Sequence, residues 1–227
     1  MRRRWSGYVR PAAWRRSSIS YDAKHPPKRV VLVNGIPASG KSTLTHALSQ
    51  HFGWPVLTLD SLKEPFMSCF APVDRQRNRQ LGCAAYQAIW NIVGQAPASQ
   101  IWLIDAWFGF QPRTLLEQGL KQAGVEEALE LWLRIAPEVA VARYQARLSQ
   151  RLPGHPGAEY LPELRQLAQQ ARPMALGPVC EVNACNQDHA AVIHWLHQQL
   201  TRTRYTSAHH QMSEELQDVI TPVSANR

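Results

Sequence analysis

The chain has 227 residues, 44% of them hydrophobic and 19% charged. Those shares are ordinary for a globular protein and argue against a disordered chain. The formal net charge is +8, but nine of the 25 basic residues and one of the 17 acids lie within residues 1–29, so the remainder is balanced and a uniformly basic domain is excluded.

Residues 1–27 read as a basic arm that closes on His25-Pro26-Pro27, an extended breaker. The arm lacks an apolar run, so it is not a secretory signal. Organelle-transit composition, a disordered arm and translated sequence upstream of the true start all remain open for it. Any contact with nucleic acid is expected through this arm alone. No apolar run approaches the ~20 residues that span a bilayer, so no membrane partner is expected. Cys69, Cys83, Cys180 and Cys185 form no CxxC pair, which predicts free buried thiols in a reducing, cytoplasmic setting.

Beyond the arm, β-like and helix-like patterns alternate. RVVLVNG, 29–35, predicts a strand buried on both faces. Leu44, Ala47, Leu48 and Phe52 then fall at helical spacing. VLTLD, 56–60, predicts a second strand, with helices over 61–70 and from Asp74 to about Gly94. IWLIDA, 101–106, is a third strand, and Pro112 to Gly124 a helix with Pro at its start and Gly at its end. LELWLRI, 129–135, predicts the fourth strand, followed by one helix from Pro137 to Arg151, the loop PGHPG and a helix from Leu161 to Arg172. PVCEVNA, 178–184, is the fifth strand, and Ala190 to about Thr203 the last helix. Strands alternating with helices predict an α/β fold in three layers, a doubly wound parallel five-stranded sheet. The domain is expected over 28–203, with a helical lid at about 143–172 and a tail at 204–227.

Directly after the first strand stands Gly35-Ile36-Pro37-Ala38-Ser39-Gly40-Lys41-Ser42, followed by Thr43. This is the G-x-x-x-x-G-K-S pattern of a phosphate-binding loop. Gly35 and Gly40 permit dihedrals that a Cβ would block. The backbone from Ala38 and Ser39 to Thr43 can then turn its amides on phosphate oxygens, at the positive end of the following helix. Lys41 is expected on the β- and γ-phosphates and Ser42 on Mg²⁺, which predicts ATP and Mg²⁺ as ligands.

Two carboxylates close strands. Asp105 follows Ile101-Trp102-Leu103-Ile104 and is expected to hold Mg²⁺, a turn or cap role being the alternative. Asp60 lies where a base would meet an acceptor hydroxyl, although Leu59-Asp60-Ser61-Leu62 with Glu64 also reads as a helix start. Arg143, Arg147 and Arg151 are spaced four apart, either as a solvated stripe or as lid arginines. As lid residues, Arg147 and Arg151 are expected on phosphates and Arg143 on the adenine side or on phosphates. The acceptor is sought among Lys63, Arg75, Arg77, Arg79, Arg113 and the run Trp107-Phe108-Gly109-Phe110. Arg75, Arg77 and Arg79 cannot all face one site from a helix, so at least one is solvated. His194, His197, His209 and His210 lack the partners of a metal site.

VVLVNGIPASGKST, LTLDSLKEPF, IWLIDAWF, RYQARLSQRLPGHPG and VCEVNAC together resemble the small P-loop phosphotransferases of the nucleotide-kinase-like branch. That branch includes chloramphenicol phosphotransferase, zeta-toxin-type kinases and polynucleotide kinase, and many bacterial members are called AAA-family ATPases. The resemblance covers about residues 29–200. It implies a 2-3-1-4-5 strand order and transfer of the ATP γ-phosphate to a hydroxyl of an unidentified small-molecule acceptor. It implies Lys41 and Ser42 on phosphate and Mg²⁺, Asp60 activating the acceptor, and Arg147 or Arg151 as lid arginines. A 5′-hydroxyl polynucleotide kinase and a non-transferring ATPase or nucleotide-binding regulator are the alternatives. One departure is that Asn183-Ala184-Cys185 lacks the Asp-Thr often found after the last strand, so adenine contacts from that loop are not implied.

Overall fold

Val30 and Leu32 face one side of strand β1 (Arg29–Asn34) and Val31 and Val33 the other, and all four are at most 1% exposed. An apolar run with the period of two can only be satisfied by covering both faces of a sheet. That requirement organises residues 26–202, which the computed structural model describes. The arm up to residue 25 and the tail from residue 203, with His209 and His210, lie outside the described residues.

The chain continues through α1 (Lys41–Phe52), β2 (Val56–Thr58), α2 (Leu59–Cys69), α3 (Arg75–Gln95), β3 (Trp102–Ala106) and α4 (Arg113–Gln122). It then forms β4 (Glu127–Arg134), α5 (Pro137–Ala146), α6 (Leu161–Gln170) and β5 (Val179–Asn183), and α7 covers residues 189–202. All five strands are parallel, in the order β2-β3-β1-β4-β5. Ile89, Trp90 and Val93 of α3 and Leu116 and Leu120 of α4 cover the Val30/Leu32 face. Leu44 and Leu48 of α1 and Val192 and Leu196 of α7 cover the Val31/Val33 face. A third cluster joins α5 to α6 through Ala140, Tyr144, Tyr160 and Leu164. Leu44, Leu48 and Ile89 are fully buried, so cutting any of them back to Ala costs about 2–5 kcal/mol.

The three-layer parallel sheet and its order agree with the sequence reading, but several boundaries differ by a few residues, three of them with consequences. Strand β2 ends at Thr58, because the Thr58 Oγ1 accepts from the Ser61 amide at 2.9 Å and caps α2 there. Such a cap stabilises a helix start by about 1 kcal/mol. Asp60 therefore stands in the first turn of α2 and does not end a strand. Strand β4 begins at Glu127, two residues before the expected Leu129. The helix expected from Pro137 to Arg151 ends at Ala146, where the Arg147 amide donates to Tyr144 O at 3.1 Å and the chain tightens into a 3₁₀ turn at Leu148–Gln150. The four thiols are unpaired as expected, yet none is buried: Cys69 and Cys185 are exposed and Cys83 and Cys180 are half-buried. Among the described residues, no helix is long and apolar enough to cross a membrane.

Candidate active site

Strand β1 has β3 on one side and β4 on the other, so the chain leaves its C-terminal end between connections that diverge. A crevice at that position is where such sheets take ligands. The loop Gly35–Gly40 crosses it. A Cβ at Gly35 would lie 2.6 Å from the Ser39 Oγ and 3.0 Å from Leu133 O, so only glycine lets the loop pass. Gly40 adopts φ 88° and Ala38 φ 68°, both left-handed. Ser39 is fully buried, and its amide bonds Ile36 O at 3.3 Å, which closes the turn of the loop.

Helix α1 starts at Lys41, whose ammonium donates to Gly35 O at 2.9 Å and Ile36 O at 3.1 Å. Burial pushes its pKa down, Asp105 and Asp60 draw it up, and Arg147 and Arg151 lower it again. Those four side chains therefore share one electrostatic neighbourhood with Lys41. Ser42 and Thr43, both exposed, continue the loop into the crevice.

Asp105 is in register with Val33 of β1 and Thr58 of β2. Its Oδ2 accepts from the Ser42 Oγ at 2.9 Å. Burial pushes its carboxyl up, which Lys41 and the Ser42 hydrogen bond only partly offset. A desolvated carboxylate beside a hydroxyl is a hard oxygen donor set, and it fits a divalent cation such as Mg²⁺.

Asp60 faces the same cavity. Its Oδ1 lies 3.0 Å from the Lys63 Nζ, with the Lys63 side chain only 7% exposed. Partial desolvation raises the Asp60 carboxyl, but Lys63, His155 and Arg151 together hold it below the ordinary carboxylate range. It is thus an ionised hydrogen-bond acceptor and a weak base.

The arginine row is not one helical stripe. Arg143, on α5, donates through both terminal nitrogens to Ala184 O at 3.2 Å and faces the loop after β5. Gln187 of that loop donates to Gly40 O at 3.0 Å, so loop and helix start are tied together across 147 positions. Arg147 and Arg151 line the cavity. The Arg151 guanidinium lies over the Tyr144 ring at 4.7 Å and bonds the His155 Nδ1 at 2.9 Å. The His155 Nε2 meets the Glu64 Oε1 at 2.9 Å, and Asn78 Nδ2 donates to Gly154 O. The PGHPG loop is therefore docked on α2 and α3. Asp60, Glu64 and His155 bring ligand atoms within 4.8 Å of one another. Lys63 and Arg151 already engage Asp60 and His155 there, so that trio is assigned no metal.

The loop Gly35–Gly40 with Lys41, and Asp105, Asp60, Arg147 and Arg151, all border a single cavity of about 550 Å³. Of the acceptor candidates, Lys63, Arg75, Arg79, Trp107, Gly109 and Phe110 line it. Arg77 and Arg113 do not, and Phe108 is buried in the core. His194 and His197 lie on α7, away from the cavity lining.

Sequence reasoning passed over Asn34 and Glu130. The buried Asn34 Nδ2 donates to the Glu130 Oε1 at 2.7 Å, and the Asn34 Oδ1 accepts from the Phe108 amide at 3.2 Å. Glu130 also accepts from the amides of Met174 and Ala175 at 2.9 and 2.8 Å. This network holds the Trp107–Phe110 wall against the sheet. The available signal was a polar residue set within or directly after an apolar strand run. Gln187, Tyr144 and Glu163 carried no such signal.

No protein-family model matches the chain, and no curated protein does. Solved structures share its fold. A "putative kinase" from Chloroflexus aurantiacus is 24% identical, with a TM-score of 0.64 over 77% of this chain and 98% of that one. A gluconokinase from Sinorhizobium meliloti is 18% identical, with a TM-score of 0.51 over 82% of this chain and 99% of that one. A deoxyadenosine kinase from M. mycoides, solved with dCMP and dCDP, is 15% identical, with a TM-score of 0.52 over 77% and 99%. The fold is that of the P-loop nucleoside-triphosphate-binding proteins.

Proposed function

We propose that the protein is a cytoplasmic ATP-dependent kinase that moves the γ-phosphate of ATP to a hydroxyl of a small-molecule acceptor. The observation that carries this reading is that Asp60 and the Lys41 loop border one cavity, because transfer needs acceptor and phosphate in one enclosure. Kinases recurring among chains of this fold agree with it.

In this reading the loop amides and Lys41 hold the β- and γ-phosphates. Ser42 and Asp105 would hold Mg²⁺, which supplies positive charge to the phosphate oxygens when bound. Asp60 accepts a hydrogen bond from the acceptor hydroxyl and aims its oxygen at the γ-phosphorus. The new O–P bond forms as the bond to the β-phosphate oxygen breaks, and ADP leaves with that electron pair. The hydroxyl proton passes to Asp60 and on to solvent. A depressed pKa suits this task, since a loose phosphoryl transition state asks for orientation more than for a strong base. Arg147 and Arg151 meet the charge that spreads over the moving group, and the docked PGHPG loop keeps water out.

The test is ATP turnover with and without a panel of hydroxylated metabolites, with the phosphorylated product identified. Asp60→Asn should lower transfer by about 10²–10⁴-fold while ATP binding is retained. Full transfer by that variant would remove Asp60 from its role. Turnover unaffected by every compound would favour a plain ATPase or nucleotide-binding regulator, and phosphate on an oligonucleotide 5′-hydroxyl would favour a polynucleotide kinase.

A further inference from the structure

The acceptor half of the cavity contains three cations and two acids among its lining residues. Lys63 is matched by Asp60 at 3.0 Å, and Arg75 by Glu163. Arg79 is matched by nothing: it makes no ion pair or hydrogen bond within the described residues, although it borders the cavity. We propose that the acceptor carries an anionic group, a carboxylate or a phosphate, that Arg79 receives while Asp60 orients the hydroxyl. This rests on the kinase reading above and names the substrate class it leaves open.

Helical geometry supports the assignment. Asp74 caps α3 by accepting from the Arg77 amide at 2.7 Å, and this fixes where each following side chain points. Arg75, Asn78, Arg79 and Gly82 then share one face, at i, i+3, i+4 and i+7, and all four line the cavity. Arg77 falls on another face and lines nothing there. Gly82 is buried in mid-helix, where glycine costs about 1 kcal/mol relative to alanine. A Cβ there would meet Phe110 at 4.0 Å, an ordinary contact, so Gly82 places the aromatic wall directly beside this face of α3. Asn78 and Arg75 are held by Gly154 O and Glu163, which leaves Arg79 as the cation with its fork free for bidentate contact.

The wall opposite is Trp107, Gly109 and Phe110, a surface for a carbon skeleton. A cavity of about 550 Å³ that also takes nucleotide phosphates leaves space for a small molecule, not a polymer. The complementary ligand is a small hydroxylated acid or phosphate monoester with its hydroxyl at Asp60, its skeleton on the aromatic wall and its anion at Arg79.

Two measurements test this. In the first, a nonhydrolysable ATP analogue with Mg²⁺ fills the phosphate loop of the full chain, and inorganic phosphate is titrated by calorimetry. Saturable binding is expected, weakened about tenfold or more in Arg79→Gln, the usual loss for a charge-assisted contact, and unchanged in Arg77→Gln. No saturable binding, or equal binding by Arg79→Gln and the parent, overturns the proposal. In the second, transfer from ATP is compared across glycerol, glycerate and glycerol phosphate and further polyols matched in the same way. The charged member of each set should be preferred, with its KM raised about tenfold by Arg79→Gln and kcat held within about twofold. The better of the two anions identifies which source the site is built for. Preference for neutral polyols overturns the anionic acceptor and leaves the kinase reading standing. Phosphate binding at Arg79 without transfer to any compound overturns the kinase reading, and the acceptor assignment with it.

Discussion

The Lys63 ammonium lies 3.0 Å from the Asp60 carboxylate, one helical turn along α2, and is almost wholly buried. The pair explains why this cavity-lining carboxylate stays ionised although it is partly desolvated. Lys63→Met removes the counter-charge and leaves the desolvation. The Asp60 carboxyl should then titrate higher, and the acid limb of the pH–rate profile of transfer should move to higher pH. An unmoved acid limb would show that Lys63 does not set the state of Asp60.

The Glu64–His155–Arg151 chain makes the docked loop sensitive to acid. Arg151 can only donate, so the His155 Nδ1 accepts and its Nε2 carries the proton toward Glu64. Burial, then Lys63 and Arg151, lower the His155 pKa against the opposing pull of Asp60 and Glu64. The folded protein thus binds this proton less readily than the unfolded chain, whose histidine titrates near 6.5. His155's contribution is therefore complete above about pH 6.5 and is lost as pH falls through its lower folded value. Thermal unfolding measured from pH 8 to 5 should show a steeper loss in the parent than in His155→Gln, which offers Arg151 an acceptor and does not titrate. Superimposable pH slopes would count against the latch.

Burial of the Asp105 carboxylate works against folding at neutral pH. Its carboxyl is raised by burial, so the ionised form is disfavoured in the folded protein. A carboxyl raised in this way favours folding below the unfolded carboxylate range and loses that as pH rises through the folded value. Asp105→Asn keeps an acceptor for Ser42 and removes the charge. At neutral pH it should unfold at higher temperature, a gain on the order of 0.5–2 kcal/mol, while Mg²⁺-dependent transfer falls by about 10²-fold or more. A less stable variant would contradict this account.

Glu130 serves the fold and, through Asn34, the wall of the cavity. Glu130→Ala would strand the Asn34 and Met174 amides in a buried place and take the partner from the part-buried Ala175 amide. Each buried stranded donor costs about 1–3 kcal/mol, so urea denaturation should show a loss of at least about 2 kcal/mol, with Glu130→Gln recovering part of it. A change below about 1 kcal/mol would mean that the network contributes little.

Sequence by itself determined the local features: the loop Gly35–Ser42, whose spacing is that of a phosphate-binding pattern, and the alternation that makes the sheet parallel and buried. It also located Asp60 and Asp105 close to where the crevice holds them. These were legible because each depends on neighbours in the chain, through periodicity, glycine dihedrals and a strand running into a helix. The element ends were less legible, because a hydrogen bond such as Thr58 to Ser61 outweighs the pattern around it. Tertiary structure alone decided what distant residues do. It broke the arginine row at Ala146 and sent Arg143 to Ala184, kept Arg147 and Arg151 at the cavity, and seated His155 on Glu64, 91 positions away. It also decided that Arg77 is the one turned from the cavity and left Arg79 without a counter-charge among the described residues. Burial and charge pairing are sums over everything that packs nearby, and one chain segment carries no record of them.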